Sequence, residues 1–288
     1  MTDAGAHVDP PVPATGVLVD LRNFTPSLNA AGVDDRGTNR FCYTLADFYA
    51  ETLDQCMRAL APAERDEPAI SVSSTGDGLL VVFMGPRHFA NGLLAAFLLE
   101  AGLTTSCQRH NEANPNMPTI SFGVGVESGE VSRIRAGAGI ASVDTVIGHC
   151  VNIAARVEAL TKLIASARVI VADSTVELCA EAFHGTTFAS LRAQERAAGN
   201  DTDRVGLQKR MNEINREMCL TFLDRYALKG VEEPVPLYRL DDSATCGGVT
   251  RFDRLLEHLV GDDPRHLHEV RDILCHVCAE SNRDGSSS

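Results

Sequence analysis

The chain has 288 residues, of which 44% are hydrophobic and 23% charged, and its formal net charge at pH 7 is −13. This is the composition of a globular protein with one large domain, or a domain and an appendage. The acidic balance argues against general affinity for nucleic acid or an anionic membrane, because both need clustered Lys and Arg. We therefore expect no nucleic acid and no membrane among the partners.

The expected location is the cytoplasm. We recognise neither a secretory leader nor an apolar run long enough for a membrane span. The nine cysteines are scattered along the chain, which indicates reduced thiols in a cytosol rather than a disulfide framework.

The first fifteen residues are rich in proline and are predicted to form a flexible tail ahead of one domain, residues 16–240. Apolar periodicity in this domain predicts alternating strands and helices. The predicted strands are residues 16–20, 70–75, 79–83, 119–127, 143–147, 167–172, 224–229 and 235–240. The predicted helices are residues 40–60, 86–103, 150–164 and 174–183, with a charged helical insertion at about 190–220 and a helical C-terminal extension over 241–288.

Two aspartates stand out because each follows or ends a predicted strand. Asp20 ends the first strand, and Asp77 lies at the turn of a hairpin, ISVSSTGDGLLVVF, residues 70–83. An isolated Asp-Gly pair is most often only a turn. A carboxylate there is nevertheless well placed to face a cation beside a second acid. If the strands are neighbours, Asp20 and Asp77 are placed to hold two divalent ions, a clamp suited to in-line displacement at phosphorus.

A third run, DTVIGHCVNIAAR, residues 144–156, places Asn152 and Arg156 four residues apart, on one face of a helix. Together the three runs resemble the class III nucleotide cyclases, whose pattern reads D-I-x-G-F-T, a G-D hairpin, and D-x-x-G-x-x-V-N-x-A-A-R. A fourth run, YALKGVEEPVPLY, residues 226–238, is similar to the L-K-G-V-x-x-P-V-x-x-Y tail of many bacterial members. The resemblance covers residues 16–240.

The resemblance implies an α+β fold with a ferredoxin-like βαββαβ core, an antiparallel-rich sheet and helices on one face. It also implies a reaction, the conversion of a nucleoside triphosphate to the 3′,5′-cyclic monophosphate and pyrophosphate. By this resemblance Asp20, Asp77 and the backbone carbonyl of Leu21 bind two divalent ions, Mn²⁺ or Mg²⁺. Asn152 would orient the ribose, and Arg156 would pair with the α-phosphate as charge develops.

Phosphate binding and assembly follow from the same resemblance. Phe24, Thr25 and Lys229 are the expected phosphate-binding residues, although Lys229 reads equally well as an exposed turn lysine. In this family the metal aspartates and the Asn/Arg pair come from opposite subunits. We therefore expect a homodimer with two composite sites.

The base is expected to be read at two positions, four residues before Asp77 and seven before Asn152. Adenylate cyclases usually place Lys and Asp there, and guanylate cyclases Glu and Cys, whereas this chain has Ser73 and Thr145. Because it lacks a purine-reading pair, the chain resembles the bacterial pyrimidine cyclases of anti-phage (Pycsar) defence. We expect UTP, or else CTP, as substrate, because neither hydroxyl is an obligate acceptor for the amino group of cytosine. The alternatives are an adenylate cyclase and an inactive nucleotide-binding module.

Overall fold

The structure, a computed structural model, describes residues 6–65, 70–138, 141–241 and 249–284. Its strands are β1 Ala6–Val8, β2 Val12–Arg22, β3 Ile70–Ser74, β4 Gly78–Met84, β5 Ser121–Ala138, β6 Ala141–Ile147, β7 Val169–Ala172, β8 Leu220–Tyr226 and β9 Val235–Leu240. Its α-helices are α1 Phe24–Ala30, α2 Phe41–Ala59, α3 His88–Ala113, α4 His149–Leu160, α5 Asp173–His184, α6 Phe188–Ala197, α7 Asp201–Glu217, α8 Val249–Val260 and α9 Pro264–Asp284.

One mixed sheet organises these elements. Its strand order is β3-β4-β2-β5-β7-β9-β8, with β1 and β6 also paired to β5. The β5–β7 pair is parallel, and the other pairs are antiparallel. β2, which contains Asp20 two residues before its end, and the hairpin that carries Asp77 are therefore direct neighbours, as the two-aspartate prediction requires.

Helices cover both faces of the sheet, as the alternating directions of successive residues along β2 show. Val17, Val19 and Leu21 point into the larger core, which α2, α3, α5, α8 and α9 complete. On the other face, Gly16 lies under α4, where an added Cβ would be 3.6 Å from the Cα of Val151. The predicted placement of helices on one face therefore holds for α2 and α3 and not for α4.

The predicted flexible tail of residues 1–15 is wrong from Ala6 onwards. β1 pairs with β5, and β2 begins at Val12 rather than at residue 16. Pro13 is tolerated because β2 meets β4 only from Ala14 onwards, so at Pro13 the strand has a single neighbour, β5. Ala14 is fully buried. Residues 1–5 lie outside the described part of the chain.

The C-terminal extension is helical where the structure describes it, but it is part of the main core rather than an appendage. Leu255 and Leu259 of α8 and Val270 and Leu274 of α9 are buried in the cluster that contains α3. These side chains cover the outer side of α3. By length and composition alone α3 could span a membrane, but 72% of its apolar stretch is buried inside the fold, as in a core helix of a globular protein.

Strand β5 is longer than predicted. β5 extends to Ala138, well beyond its predicted end at residue 127. α5 begins at Asp173, and the hydroxyl of Ser174 in its first turn accepts a hydrogen bond from the backbone N–H of Ser128 at 3.2 Å. The predicted insertion at about 190–220 corresponds to α6 and α7, the second of which is capped by the Asn200 side chain.

Glu127 of β5 is a buried acid that makes folding depend on pH. Burial raises its pKa from 4.5 to about 7; the nearby Asp173 adds to the rise, and a hydrogen bond from Ser174 opposes it. The folded state thus binds the proton more tightly than the unfolded chain. The free energy of unfolding therefore falls as the pH rises from 4.5 through about 7, where the folded protein loses this proton.

We therefore expect Glu127→Gln to raise the free energy of unfolding by about 2 kcal/mol at pH 8 and to change it little at pH 5. Urea unfolding at both pH values measures this. The matched control is Glu130→Gln, an exposed position on the same strand, which we expect to leave the pH dependence unchanged. An equal effect of Glu127→Gln at both pH values would contradict the assignment.

Candidate active site

The acidic cavity, named for Asp20 and Asp77 although Arg22 and Lys162 also line it, lies where β2 ends beside the β3–β4 hairpin. Asp20 is opposite Gly78 in the β2–β4 register, and the backbone N–H of Leu21 donates to the carbonyl of Asp77 at 3.1 Å. Gly78 is needed for this approach, because a Cβ there would lie 3.2 Å from the Cα of Asp20 and overlap the carbonyl of Val19. The cavity has a volume of about 320 Å³. Its lining residues are Asp20, Leu21, Arg22, Asn23, Phe24, Thr25, Pro26, Asp77 and Lys162.

A left-handed residue turns the chain from β2 into the cavity wall. Asn23 has φ 60° and ψ 24°, a conformation that Asn adopts more readily than most residues. Its side-chain amide donates to the carbonyl of Thr119 at 2.7 Å, which fixes the turn. α1 starts directly afterwards, so Phe24 and Thr25 line the cavity beside Asp20. The structure thus brings together five of the predicted site residues: Asp20, Leu21, Phe24, Thr25 and Asp77.

Opposite charges alternate at the base of the cavity. The Lys162 ammonium donates to Asp20 Oδ2 at 2.8 Å and lies 3.9 Å from Glu158 Oε2. Burial raises the pKa of Glu158, and the Asp20 carboxylate raises it further, while Lys162 and Arg22 oppose the rise. Arg22 donates to the hydroxyl of Thr161. Four charged side chains, two of each sign, therefore meet where α4 ends against β2.

The donor set of this cavity fits hard divalent ions. Asp20 and Asp77 supply carboxylate oxygens, and Leu21 adds a backbone carbonyl, which are ligand types that Mg²⁺ and Mn²⁺ accept. In the described part of the chain, the Asp77 carboxylate has no hydrogen bond or ion pair, and that of Asp20 is paired with Lys162. The Lys162 ammonium thus already contacts the carboxylate where a metal ion is expected to bind.

The predicted transition-state residues lie on α4, away from this cavity. Asn152 is exposed and Arg156 half-buried, whereas Ile153, Ala154 and Val157 of the same helix are buried. A Cβ added to Gly230 would lie 3.6 Å from the Arg156 guanidinium. The exposed Lys229 is the neighbour of Gly230 in the β8–β9 turn.

Asn152, Arg156 and Lys229 make up a second group of predicted site residues, which we call the basic half. Neither Arg156 nor Lys229 has a hydrogen bond or ion pair among the residues that the structure describes. Two cationic side chains without anionic partners, beside an exposed amide, are suited to an anionic ligand. Within one chain this basic half does not line the cavity of Asp20 and Asp77.

The two predicted base-reading residues lie on separate strands. Ser73 of β3 is opposite Leu80, and Thr145 of β6 is opposite Ile134, and both are half-buried. β3 and β6 contact each other, but neither residue lines the acidic cavity.

Sequence reasoning missed Lys162, Arg22 and Glu158 as residues of the site. Glu158 and Lys162 are spaced four apart at the end of the helix that carries Arg156, and this i, i+4 pair of opposite charges is a signal the sequence does offer. That Lys162 also reaches Asp20 depends on where α4 ends against β2, which the sequence does not show.

No family model and no curated protein matches this sequence. Solved structures do match the fold. The adenylyl cyclase CyaB from P. aeruginosa matches with a TM-score of 0.53 at 17% identity, over 84% of this chain and 100% of that one. The guanylyl cyclase Cya2 matches with a TM-score of 0.51 at 16% identity, over 81% and 94%. A bacterial light-regulated adenylyl cyclase matches with a TM-score of 0.53 at 13% identity, over 87% of this chain and 58% of that one.

The chain therefore has the fold of the class III nucleotidyl cyclases, and the predicted α+β cyclase-type fold is confirmed. At these identities the likeness establishes architecture and no substrate. The assignment of individual site residues rests on the motifs and on the geometry of the two half-sites.

Proposed function

We propose that this chain is a nucleotide cyclase that acts as a homodimer and converts a pyrimidine nucleoside triphosphate, UTP or CTP, to its 3′,5′-cyclic monophosphate. The observation that carries the proposal is the division of one chain into an acidic and a basic half-site. Asp20 and Asp77 share a cavity, whereas Arg156 lies elsewhere, beside Gly230 of the β8–β9 turn, the residue that follows Lys229 in the sequence. Two antiparallel copies would complete two sites, each with one half from each chain.

The acidic half holds the reacting end of the substrate. Two divalent ions held by Asp20, Asp77 and the Leu21 carbonyl would acidify the ribose 3′-hydroxyl and neutralise the triphosphate. Phe24 and Thr25 form the adjacent wall and limit where the phosphates lie. Because Asn23 fixes the entry to α1 through its bond to Thr119, this wall is preorganised, which lowers the entropic cost of aligning hydroxyl, phosphorus and leaving group.

The basic half stabilises the charge that develops at the α-phosphorus. Arg156 presents a planar fork of donors, which matches phosphate oxygens in two-point contact. Asn152, one turn earlier on the same helix face, is placed to hold the ribose ring. Lys229 adds a second cation for the terminal phosphates. Since α4 is seated on the sheet by its buried residues, Asn152 and Arg156 need little reorganisation during the reaction.

The pyrimidine assignment rests on Ser73 and Thr145. A hydroxyl both donates and accepts, so two hydroxyls are compatible with O4 and N3 of uracil and do not select the adenine edge. By the resemblance to the Pycsar cyclases, the cyclic nucleotide serves as a second messenger of anti-phage defence in the cytoplasm.

A substrate panel tests the proposal. Purified protein with Mn²⁺ and ATP, GTP, CTP or UTP, each alone, is assayed by mass spectrometry of the products. We expect cyclic UMP or cyclic CMP, with kcat/KM about 100-fold or more above that for ATP. Cyclic AMP as the main product would show an adenylate cyclase instead, and no product with any of the four would contradict the proposal and favour an inactive module.

The double substitution Ser73→Lys with Thr145→Asp tests the base-reading positions. It introduces the residue types that adenylate cyclases usually have there, so we expect the ratio of cyclic AMP to cyclic pyrimidine product to rise by about tenfold or more. The matched control carries Ser71→Lys in place of Ser73→Lys, two residues away on the same strand. An equal change in both proteins would contradict a base-reading function for Ser73.

A further inference from the structure

Lys162 is the one lysine whose ammonium contacts a predicted metal ligand. The chain has three lysines, Lys162, Lys209 and Lys229. Lys162 follows the end of α4, and its ammonium lies 2.8 Å from Asp20 Oδ2. The Lys162 side chain is 50% exposed, whereas that of Asp20 is 15% exposed. The lysine therefore has open space on its solvent side, while the carboxylate it binds is largely enclosed.

This contact conflicts with a divalent ion at the same carboxylate. A metal ion lies at about 2.1 Å from a carboxylate oxygen, so an ion and the ammonium on Asp20 would be roughly 5 Å apart or less. Two cations at that distance repel each other strongly when partly shielded from water. Ion binding at Asp20 therefore favours displacement of the Lys162 ammonium.

The surroundings of Lys162 allow it to leave at little cost. Glu158 Oε2 lies 3.9 Å from the ammonium, so a displaced ammonium still has a carboxylate partner within reach. The same contact keeps the buried Glu158 carboxylate from being left without a cation. Lys162 also lines the cavity together with Phe24, Thr25 and Asp77. A displaced ammonium thus remains beside the space assigned to the triphosphate.

We propose that Lys162 is a resident cation of the nucleotide site, which occupies Asp20 until a divalent ion displaces it and then binds the triphosphate. The inference rests on the proposed function, because it assumes that Asp20 binds a metal ion. In this proposal, binding of the divalent ion at Asp20 and transfer of the Lys162 ammonium to the triphosphate occur together. Asp20 is never left as an unpaired acid, and the freed lysine contributes to holding the substrate.

The two halves of this exchange predict effects of opposite sign in Lys162→Gln. Without nucleotide, Mn²⁺ has no ammonium to displace, so we expect it to bind about two- to fivefold more tightly, the equivalent of one lost half-exposed ion pair. With Mn²⁺ at saturation, inorganic tripolyphosphate should bind about tenfold more weakly, because one charge-assisted contact is lost. Electron paramagnetic resonance of free Mn²⁺ measures the first quantity and titration calorimetry the second.

Three variants complete the design. Lys209→Gln removes an exposed lysine of α7, 4.0 Å from Glu213, and should change neither affinity. Lys162→Arg retains a cation and should behave as the unsubstituted protein in both measurements. A purely structural function of Lys162 would lower both affinities in Lys162→Gln or change neither, and either result overturns the proposal.

Asp20→Asn separates this proposal from the proposed function. Loss of Mn²⁺ binding in Asp20→Asn, without tighter binding in Lys162→Gln, would overturn the exchange and leave the metal site standing. Unchanged Mn²⁺ binding in Asp20→Asn would overturn both the metal site and the exchange. Neither measurement uses turnover, so an error in the assigned base affects neither result.

Discussion

A mixture of two inactive variants, Asp77→Ala and Arg156→Ala, is expected to regain about one-quarter of the activity of the unsubstituted protein. Each variant alone should lose about 10³-fold or more in kcat, since one lacks a metal ligand and the other the transition-state cation. After subunit exchange at equal amounts, half of the dimers carry one substitution in each chain. Such a dimer has one site with both residues intact and one with neither.

The measurement is cyclic nucleotide formation at fixed total protein while the ratio of the two variants is changed. Activity should peak at equal amounts and vanish at either end. The matched control mixes Asp77→Ala with Asp20→Asn. These substitutions affect the same half-site, so their heterodimer has no intact site and should stay inactive. Recovery in the control, or none in the test mixture, would contradict composite sites. Activity retained by either single variant would contradict the residue assignment itself.

The acidic half-site was predictable because its signals are local. Asp20 near a strand end and Asp77 at a hairpin tip can each be recognised from a separate run of fourteen residues or fewer. The β2–β4 pairing then places them in one cavity. Lys162 was not predictable in the same way. Its contact with Asp20 spans 142 positions in the chain and depends on how far α4 runs along β2 before it ends.

The placement of α4 shows a second limit of sequence patterns. Its buried residues, including Ile153 and Val157, reveal that it packs on something. The pattern does not reveal which face of the sheet receives it. That choice is made by small residues on the strands, Gly16 of β2 and Gly125 of β5, which read in the sequence only as interruptions of strands.

Gly125→Ala is expected to be strongly destabilising, because the backbone of α4 lies directly against Gly125. A Cβ there would overlap the carbonyl oxygen of Ala154 and the backbone nitrogen of Glu158. Both are backbone atoms of a helix, so no side chain can rotate away and the whole of α4 must shift. We expect a loss of about 3 kcal/mol in the free energy of unfolding, measured by urea denaturation.

The same shift should also remove activity, since α4 carries Arg156 and ends beside Asp20. The matched control is Gly16→Ala, under the same helix on the neighbouring strand. Its Cβ would meet the Cα of Val151 at 3.6 Å and the Cβ of Ala154 at 3.7 Å, which are ordinary contacts. We therefore expect Gly16→Ala to change stability by less than about 1 kcal/mol and to retain turnover. Equal effects of the two substitutions would contradict this seating of α4, on which the separation of the two half-sites depends.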